Sequence, residues 1–135
     1  PIHSIGTTDQ HSQLQLYLDG PKDKFFTFIT TNHSNKGSLI NDDIFKNTEI
    51  NFFKNKTIGD LMEAEQNATI ETFKQNNFSC REIFMPNINE KNMGKLLTIS
   101  IIETIASCLY FDVNPFDQPA VEQGKILTKK YLTQN

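Results

Sequence analysis

The sequence predicts an α/β fold built on a pair of parallel strands. Two segments, Lys24–Thr30 and Cys80–Met85, have the composition of strands, and the first is rich in aromatic and β-branched residues. Between them, the segment Thr57–Gln75 carries apolar residues at helical spacing. Because strand, helix and strand follow one another, we predict a parallel pair joined by a right-handed crossover, with further helices flanking the sheet.

Capping residues and helix breakers predict where the first two helices begin and end. Gly6–Asp9 has the residue types of a helix entry, and Gly20 with Pro21 stops the helix that follows. Thr57, with Asp60 three residues later, resembles a capping box at the start of the central helix. These signals place one short helix before the first strand and one long helix after it.

The segment between the first strand and the central helix is polar and predicts a loop over Thr31–Asp43. Asp42 and Asp43 lack a histidine, a cysteine or a third carboxylate at a supporting spacing, so we interpret them as solvated charges and predict no metal site. Glu49–Lys54 is predicted as a short strand on a weak pattern.

A long helix that starts after Asn87 or Asn89 and reaches about Tyr110 is apolar around most of its axis beyond Lys95. A helix of this kind is buried on more than one side. Burial on several sides is costly for a lone domain of 135 residues, so we expect the helix to pack against another domain or subunit as well.

Length and composition restrict the class of protein. The chain has 135 residues, 37% of them hydrophobic, and we treat residues 1–135 as one domain. The net charge is −3 and the basic residues are scattered, which argues against nucleic-acid binding. No apolar run approaches the ~18 residues that span a bilayer, and no signal peptide opens the chain, so we predict a cytoplasmic protein without a membrane partner.

Cys80 and Cys108 are predicted to be buried free thiols. Because the chain begins at Pro1 rather than Met, we expect it to belong to a longer polypeptide.

The most specific stretch of the sequence is Phe116–Lys125, close to the C-terminus. Pro119 suits the first turn of a helix that begins at about Gln118 and runs toward Leu132. At 3.6 residues per turn, Gln118 and Lys125 project from the same side of this helix. The alternative interpretation is an ordinary solvated face, with a weak surface pair between Glu122 and Lys125.

This stretch resembles the C-terminal signature of the glucose-6-phosphate isomerase family, in which Phe-Asp-Gln is followed by Val-Glu and then Lys. The matching positions are Phe116, Asp117, Gln118, Val121, Glu122 and Lys125. A second stretch, Gly6–Gln15, resembles the place where the family carries its ring-opening histidine, and the match falls on His11. On pattern alone, His11 would be a histidine that bonds nearby backbone. Within the predicted first helix it would be neutral and able to exchange a proton, because a helix N-terminus disfavours the imidazolium.

The resemblance covers the entire chain, looks bacterial in type, and implies the C-terminal part of a three-layer, parallel-sheet sugar-isomerase domain. It implies an enzyme of glycolysis and gluconeogenesis that interconverts glucose 6-phosphate and fructose 6-phosphate through an enediol, with no metal or organic cofactor. His11 would handle the ring-oxygen proton, Lys125 would assist at the anomeric hydroxyl, and Gln118 would hold the substrate.

The same resemblance implies that much of the active site lies outside this sequence. The family's carboxylate base, its arginine and its phosphate loop belong to sequence before Pro1, and Arg81 lies in no matching motif. Glu63 and Glu65 are interpreted as solvated charges. The chain alone is therefore expected to be inactive, and to need the missing N-terminal part and a second subunit of a homodimer, whose histidine serves the neighbouring site. Stripped of these partners, it should dimerise or carry a large apolar patch.

Two other functions remain open at this point. A stand-alone sugar-phosphate-sensing module would share the fold but would need no proton-transfer lysine, so the complete Phe116–Lys125 motif argues against it. A purely structural interaction domain is the third possibility.

Overall fold

A computed structural model describes residues 2–41 and 48–134. The chain divides into two compact units, Pro1–Ile88 and Asn89–Asn135. The first unit contains helix α1 (Gln13–Asp19), strand β1 (Phe26–Thr31), a 3₁₀ helix (Thr48–Phe53), helix α2 (Ile58–Gln75) and strand β2 (Cys80–Met85). The second unit contains helices α3 (Glu90–Tyr110) and α4 (Pro119–Thr133).

Strands β1 and β2 form a two-stranded parallel sheet, which confirms the predicted pair. The register sets Phe26 opposite Cys80 and Thr31 opposite Met85. β2 has the bounds that the sequence predicted, whereas β1 begins two residues later. α2 lies between the two strands in the sequence, and this connection is the one that a parallel pair requires.

The core of the first unit is a cluster of aromatic rings between the sheet and α2. Phe73 on α2 is 2% exposed, and Phe78, just before β2, is 6% exposed. The ring of Phe26 on β1 meets Phe73 at a centroid distance of 4.6 Å, and that of Phe28 meets it at 5.2 Å, both edge-on. Each such edge-on pair stabilises the fold by ~0.5–1.5 kcal/mol beyond the contribution of the buried apolar area. The spacing of phenylalanines at alternate positions of β1 therefore fixes the face that α2 covers.

The capping box at the start of α2 is confirmed, and its carboxylate does more than cap. Asp60 accepts bonds from the amides of Thr57 (2.8 Å) and Asn35 (2.9 Å). Glu63, one turn later, accepts bonds from the amides of His33 (3.0 Å) and Ser34 (2.5 Å). The interpretation of Glu63 as a solvated charge was wrong, because this carboxylate ties the loop after β1 to the helix.

The amide donors around Asp60 predict a pH dependence of stability. The backbone bond from Thr57, with that from Asn35, lowers the pKa of Asp60 from 3.8 to about 2. The ionised carboxylate of Asp60 therefore stabilises the folded state fully above its ordinary pKa of 3.8. This stabilisation is lost as the pH falls toward 2. We expect Asp60→Asn to flatten the loss of stability between pH 4 and 2, as measured by urea unfolding at several pH values. An unchanged slope in the variant would contradict this assignment.

The segment before α2 differs from its prediction. Residues 48–53 form a 3₁₀ helix with a kink at Ile50 (φ −109°, ψ 16°), so the predicted strand Glu49–Lys54 was wrong. The alternation of residue types in this segment is short and weak, so it does not distinguish a strand from a short helix. The interpretation of Asp42 and Asp43 lies outside the described residues.

Helix α3 has the predicted bounds, and the side chain of Asn89 caps it by accepting the amide of Asn92 at 2.9 Å. None of its residues is buried within the chain, which is contrary to the expected burial on several sides. Leu97, Ile101 and Leu109 are 60%, 61% and 68% exposed. The chain without partners was expected either to dimerise or to carry a large apolar patch, and this surface is such a patch.

The length and composition of α3 also revise the prediction that no segment could span a bilayer. Its 21 residues include an 18-residue window with a mean hydropathy of 1.3, which is enough to cross a membrane by these two criteria. Core helices of soluble proteins meet the same criteria, so the finding is weak support for a membrane segment. Lys95 and Glu103 interrupt its apolar surface.

Both cysteines are free thiols, as predicted, but neither is buried. Cys80 on β2 and Cys108 on α3 are of intermediate exposure. Cys80 lies at the first position of a strand, and Cys108 lies on a helix with no buried residue. Their apolar sequence neighbours were therefore a poor guide to burial.

Candidate functional site

His11 lies in a turn that precedes α1, not in the first turns of a helix as predicted. α1 begins at Gln13, and the backbone of Thr7 is left-handed at φ 67°, which a helix does not accommodate. The argument that a helix N-terminus disfavours the imidazolium therefore does not apply to His11. The side chain is exposed at the surface of the first unit.

Three hydrogen bonds hold the turn that carries His11. The amide of Ile5 donates to Asp9 Oδ2 at 2.7 Å, and the amide of Asp9 donates back to the Ile5 carbonyl at 3.0 Å. The side chain of Gln10 donates to Thr69 Oγ1 on α2 at 2.7 Å. Because Gln10 is the neighbour of His11, this bond fixes the histidine relative to α2.

Gln118 and Lys125 belong to the second unit and lie at and within α4. The helix begins at Pro119, one residue after the predicted start at about Gln118, and Gln118 is its N-cap residue, with φ −135° and ψ 62°. The shared face of Gln118 and Lys125 was derived from helical periodicity, and Gln118 lies outside the helix. The periodicity argument therefore covers Lys125 but not Gln118.

Lys125 is exposed and paired with its neighbour on the same helix. Its Nζ lies 2.5 Å from Glu122 Oε1, and the two side chains are 66% and 61% exposed. An exposed pair of this kind contributes little to stability. A Cβ added at Gly124 would meet no atom within 4 Å, so the surface beside Lys125 is open. The ammonium group is thus accessible to a ligand that approaches α4.

The N-terminus of α2, a kind of position where α/β proteins often bind phosphate, has its first amides occupied. The first amides of α2 could form an anion site. Those of Ile58 and Gly59 instead donate to the carbonyls of Ser38 (3.0 Å) and Lys36 (2.9 Å), and that of Asp60 donates to Thr57 Oγ1 (3.1 Å). This helix N-terminus has no donor left for a phosphate group.

Arg81 has a structural role in the sheet. Its Nε donates to Thr27 Oγ1 at 3.0 Å, and its guanidinium lies 5.9 Å from the ring centroid of Phe25. These contacts connect β2 to β1 on the face opposite α2, because Thr27 and Arg81 are register partners.

A cleft of about 710 Å³ lies in the first unit between the segment before α1, strand β1 and helix α2. It is lined by consecutive residues of Lys24–Thr30 together with His33, Gln66 and Phe73. Among the described residues, no group of three or more His, Cys, Asp or Glu side chains is arranged to hold a metal ion.

With these features described, comparison with known proteins gives the family. A sequence model described as phosphoglucose isomerase matches residues 2–135 of this chain. The chain belongs to the phosphoglucose isomerase family. The family recognised from the Phe116–Lys125 and Gly6–Gln15 stretches is therefore confirmed.

Curated members of the phosphoglucose isomerase family match the chain along nearly all of its length. A probable glucose-6-phosphate isomerase of Methanococcus maripaludis is 35% identical over 98% of this chain and 29% of that protein. The glucose-6-phosphate isomerases of Carboxydothermus hydrogenoformans and Campylobacter jejuni are each 34% identical over 98% of this chain, and over 28% and 32% of their own lengths. The chain thus spans about three tenths of the curated relatives that it matches.

The sequence reasoning missed the hydrogen-bonding network that positions the loop after β1. Glu63 follows Asp60 at a spacing of three on α2, so both carboxylates face the same way and could have been predicted to act together. Gln66 continues this row. Its Oε1 accepts a bond from the amide of Thr31 at 3.4 Å, and its Nε2 donates to the carbonyl of Thr31 at 3.3 Å. The row Asp60–Glu63–Gln66 was visible in the sequence as polar residues on one helix face.

Proposed function

We propose that this chain is the C-terminal part of an aldose–ketose isomerase that interconverts glucose 6-phosphate and fructose 6-phosphate. The observation that carries the proposal is the family match over residues 2–135, together with relatives whose names state this activity. The longer relatives support the view that the remaining parts of the site come from other segments of an isomerase polypeptide.

His11 is proposed as the group that handles the proton of the ring oxygen. Ring opening breaks the bond between C1 and the ring oxygen, moves the proton of the anomeric hydroxyl away, and delivers a proton to the ring oxygen. An imidazole can give and accept a proton in such a step. The exposed position of His11 on a turn held by Gln10 and Asp9 supports this role, because the ring is accessible while its backbone is fixed.

Lys125 is proposed to assist at the anomeric hydroxyl, and Gln118 to hold the sugar. An ammonium group can donate a hydrogen bond to an oxygen that gains negative charge, and an amide can both donate and accept with sugar hydroxyls. The exposed ammonium of Lys125 beside the open surface at Gly124 supports an approach by a polar substrate. His11 and Lys125 lie in different units, so they need not serve the same site.

The isomerisation itself requires groups that we place outside this chain. After ring opening, a base removes the proton from C2, an enediol forms, and a proton is returned to C1. We propose that the carboxylate base and the phosphate-binding loop lie in the N-terminal part, that the enzyme is a cytoplasmic homodimer, and that His11 acts across the subunit interface. The occupied amides of α2 support a phosphate site elsewhere, since Ile58 and Gly59 already have acceptors.

A chimera tests the proposed activity. In the Methanococcus maripaludis relative, the matching 29% would be replaced by this chain, giving one polypeptide of full length. We expect the chimera to convert fructose 6-phosphate to glucose 6-phosphate, measured by coupled reduction of NADP⁺, and this chain alone to be inactive. The unmodified relative is the positive control, and the relative truncated before the matching segment is the negative control. A folded chimera with no activity above the truncated control would refute the proposal.

A further inference from the structure

The turn that carries His11 is joined to α2 through the side chain of Gln10. In the described parts of the chain, the other hydrogen bonds of residues 2–12 stay within that segment or reach α1. Gln10 reaches further, because its Nε2 donates to Thr69 Oγ1 on α2 at 2.7 Å. Gln10 precedes His11 directly in the sequence. The position of the histidine backbone relative to α2 therefore depends on this bond.

The hydroxyl of Thr69 acts as an acceptor toward Gln10, because its proton is already used. A threonine hydroxyl has one proton to donate and two lone pairs that accept. Thr69 Oγ1 donates this proton to the carbonyl of Glu65, one turn earlier on α2, at 2.8 Å. The proton in the other bond must come from the side-chain amide of Gln10. A carboxylate in place of this amide would have no proton to donate.

The point on α2 to which Gln10 is bonded is held by the core. Ile70, the residue after Thr69, is 5% exposed, and Phe73, one turn further, is 2% exposed. The ring of Phe73 meets that of Phe26 on β1 at a centroid distance of 4.6 Å, so this part of α2 is packed against the sheet. The bond between Gln10 and Thr69 is itself partly buried, which strengthens it relative to a bond in water.

We propose that Gln10 and Thr69 are positioning residues for the proton transfer at the ring oxygen. This inference rests on the proposed function for the role of His11. The imidazole of His11 is exposed and has no hydrogen-bond partner among the described residues, so the backbone that carries it determines where the ring lies. A misplacement of about 1 Å can slow a catalysed step by about 10²-fold. The two residues act on ring opening, because the carbon-bound proton is moved by groups proposed to lie outside this chain.

Two threonines of α2 provide the test and its control. Thr69→Val keeps nearly the same side-chain shape and removes the acceptor, whereas Thr69→Ser keeps the acceptor. Thr72→Val is the matched control, because Thr72 Oγ1 also donates to a carbonyl one turn earlier, that of Ala68 at 2.8 Å, and has no bond to Gln10. In the chimera with the Methanococcus maripaludis relative, we expect Thr69→Val to lower kcat with fructose 6-phosphate by about 10- to 10²-fold. Thr69→Ser and Thr72→Val should keep most of the rate.

A ketose that cannot form a ring separates positioning from a general effect on the fold. Fructose 6-phosphate closes its ring through the 5-hydroxyl, so 5-deoxyfructose 6-phosphate stays open. With this substrate in D₂O, deuterium enters C1 through the enediol, and no ring has to open first. We expect the Thr69→Val chimera to exchange deuterium as fast as the unchanged chimera, although it turns over fructose 6-phosphate slowly. Equal losses with both substrates, or equal kcat for Thr69→Val and Thr72→Val, overturn the positioning role and leave the proposed function standing.

A double-mutant cycle tests whether Gln10 and Thr69 act through their bond. Gln10→Glu keeps the length of the side chain and removes the proton that Thr69 accepts. The double variant with Thr69→Val is expected to have the same kcat as each single variant, since either change already breaks the bond. Losses that multiply in the double variant overturn the positioning role. An unchanged chimera that folds but has no activity refutes the proposed function itself, and the positioning role falls with it.

Discussion

Replacing Lys125 by alanine in the active chimera is expected to lower kcat by about 10²- to 10⁴-fold, the usual contribution of one acid–base group. The physical reason is the loss of the only charged group that α4 is proposed to offer to the anomeric oxygen. The fold should not change, because the Lys125 side chain is 66% exposed and its ion pair is the surface pair with Glu122. Initial rates with fructose 6-phosphate, together with circular dichroism of each variant, measure the effect.

Lys129→Ala is the matched control for this substitution. Lys129 is also exposed on α4, one turn beyond Lys125, and no role in the reaction is proposed for it. Its removal should leave kcat within a factor of about two, since one exposed charge more or less changes little at a distance. Equal losses from the two substitutions would remove the special role of Lys125. His11→Ala, compared with His3→Ala, applies the same logic to the turn before α1.

Gly59→Ala is expected to destabilise the first unit by about 3 kcal/mol or more, because it forces an atom into an occupied position. A Cβ at Gly59 would lie 2.0 Å from the carbonyl oxygen of His33 and 2.6 Å from that of Lys36. Both atoms belong to the loop over residues 33–36, which Glu63 and Asp60 hold through the amides of His33 and Asn35, so a shift of this loop would strain these bonds. Urea unfolding followed by circular dichroism measures the change.

The same substitution elsewhere in the chain should act in the opposite direction. A Cβ at Gly94, on α3, meets no atom within 4 Å. Gly94→Ala therefore keeps only the gain in helix propensity, about 0.5–1 kcal/mol of stabilisation. If the two variants differ by less than 1 kcal/mol, the close approach between α2 and the loop after β1 does not exist in solution.

The elements with strong local signals were predicted well from the sequence. β2 and α3 have the predicted bounds, and the capping box of α2 forms as its residues indicated. The parallel pairing followed from the order of the elements. These features depend on the residues within each segment and on general rules of connection, which the sequence displays directly.

Features set by contacts between distant residues were predicted poorly. α1 begins later than expected, because Asp9 bonds the backbone of Ile5 and holds a turn where a helix entry was predicted. The role of Glu63 depends on a loop that lies 29 and 30 residues away in sequence. α3 has no buried residue in this chain, although its sequence is apolar around most of its axis. No pattern within a single segment contains this information.

For the site residues, too, the sequence motifs were informative and the positions set by distant contacts were not. The motif Phe116–Lys125 and the stretch around His11 identified the family, and the family match confirms that identification. Their roles in catalysis stay predictions, because they depend on how groups from different parts of an isomerase meet around a sugar. A helical position for Gln118 was assumed, and its backbone geometry at the start of α4 shows that proximity to a proline does not make a residue helical.

The side-chain amide of Gln66 has a consequence for any strand that joins β1. By donating to the carbonyl of Thr31 and accepting from its amide, it imitates the peptide group of a neighbouring strand at that position. A new strand must therefore end before Thr31, or it must displace Gln66. One side chain of α2 thus occupies the amide and carbonyl of β1 at Thr31 in the way that a further strand would.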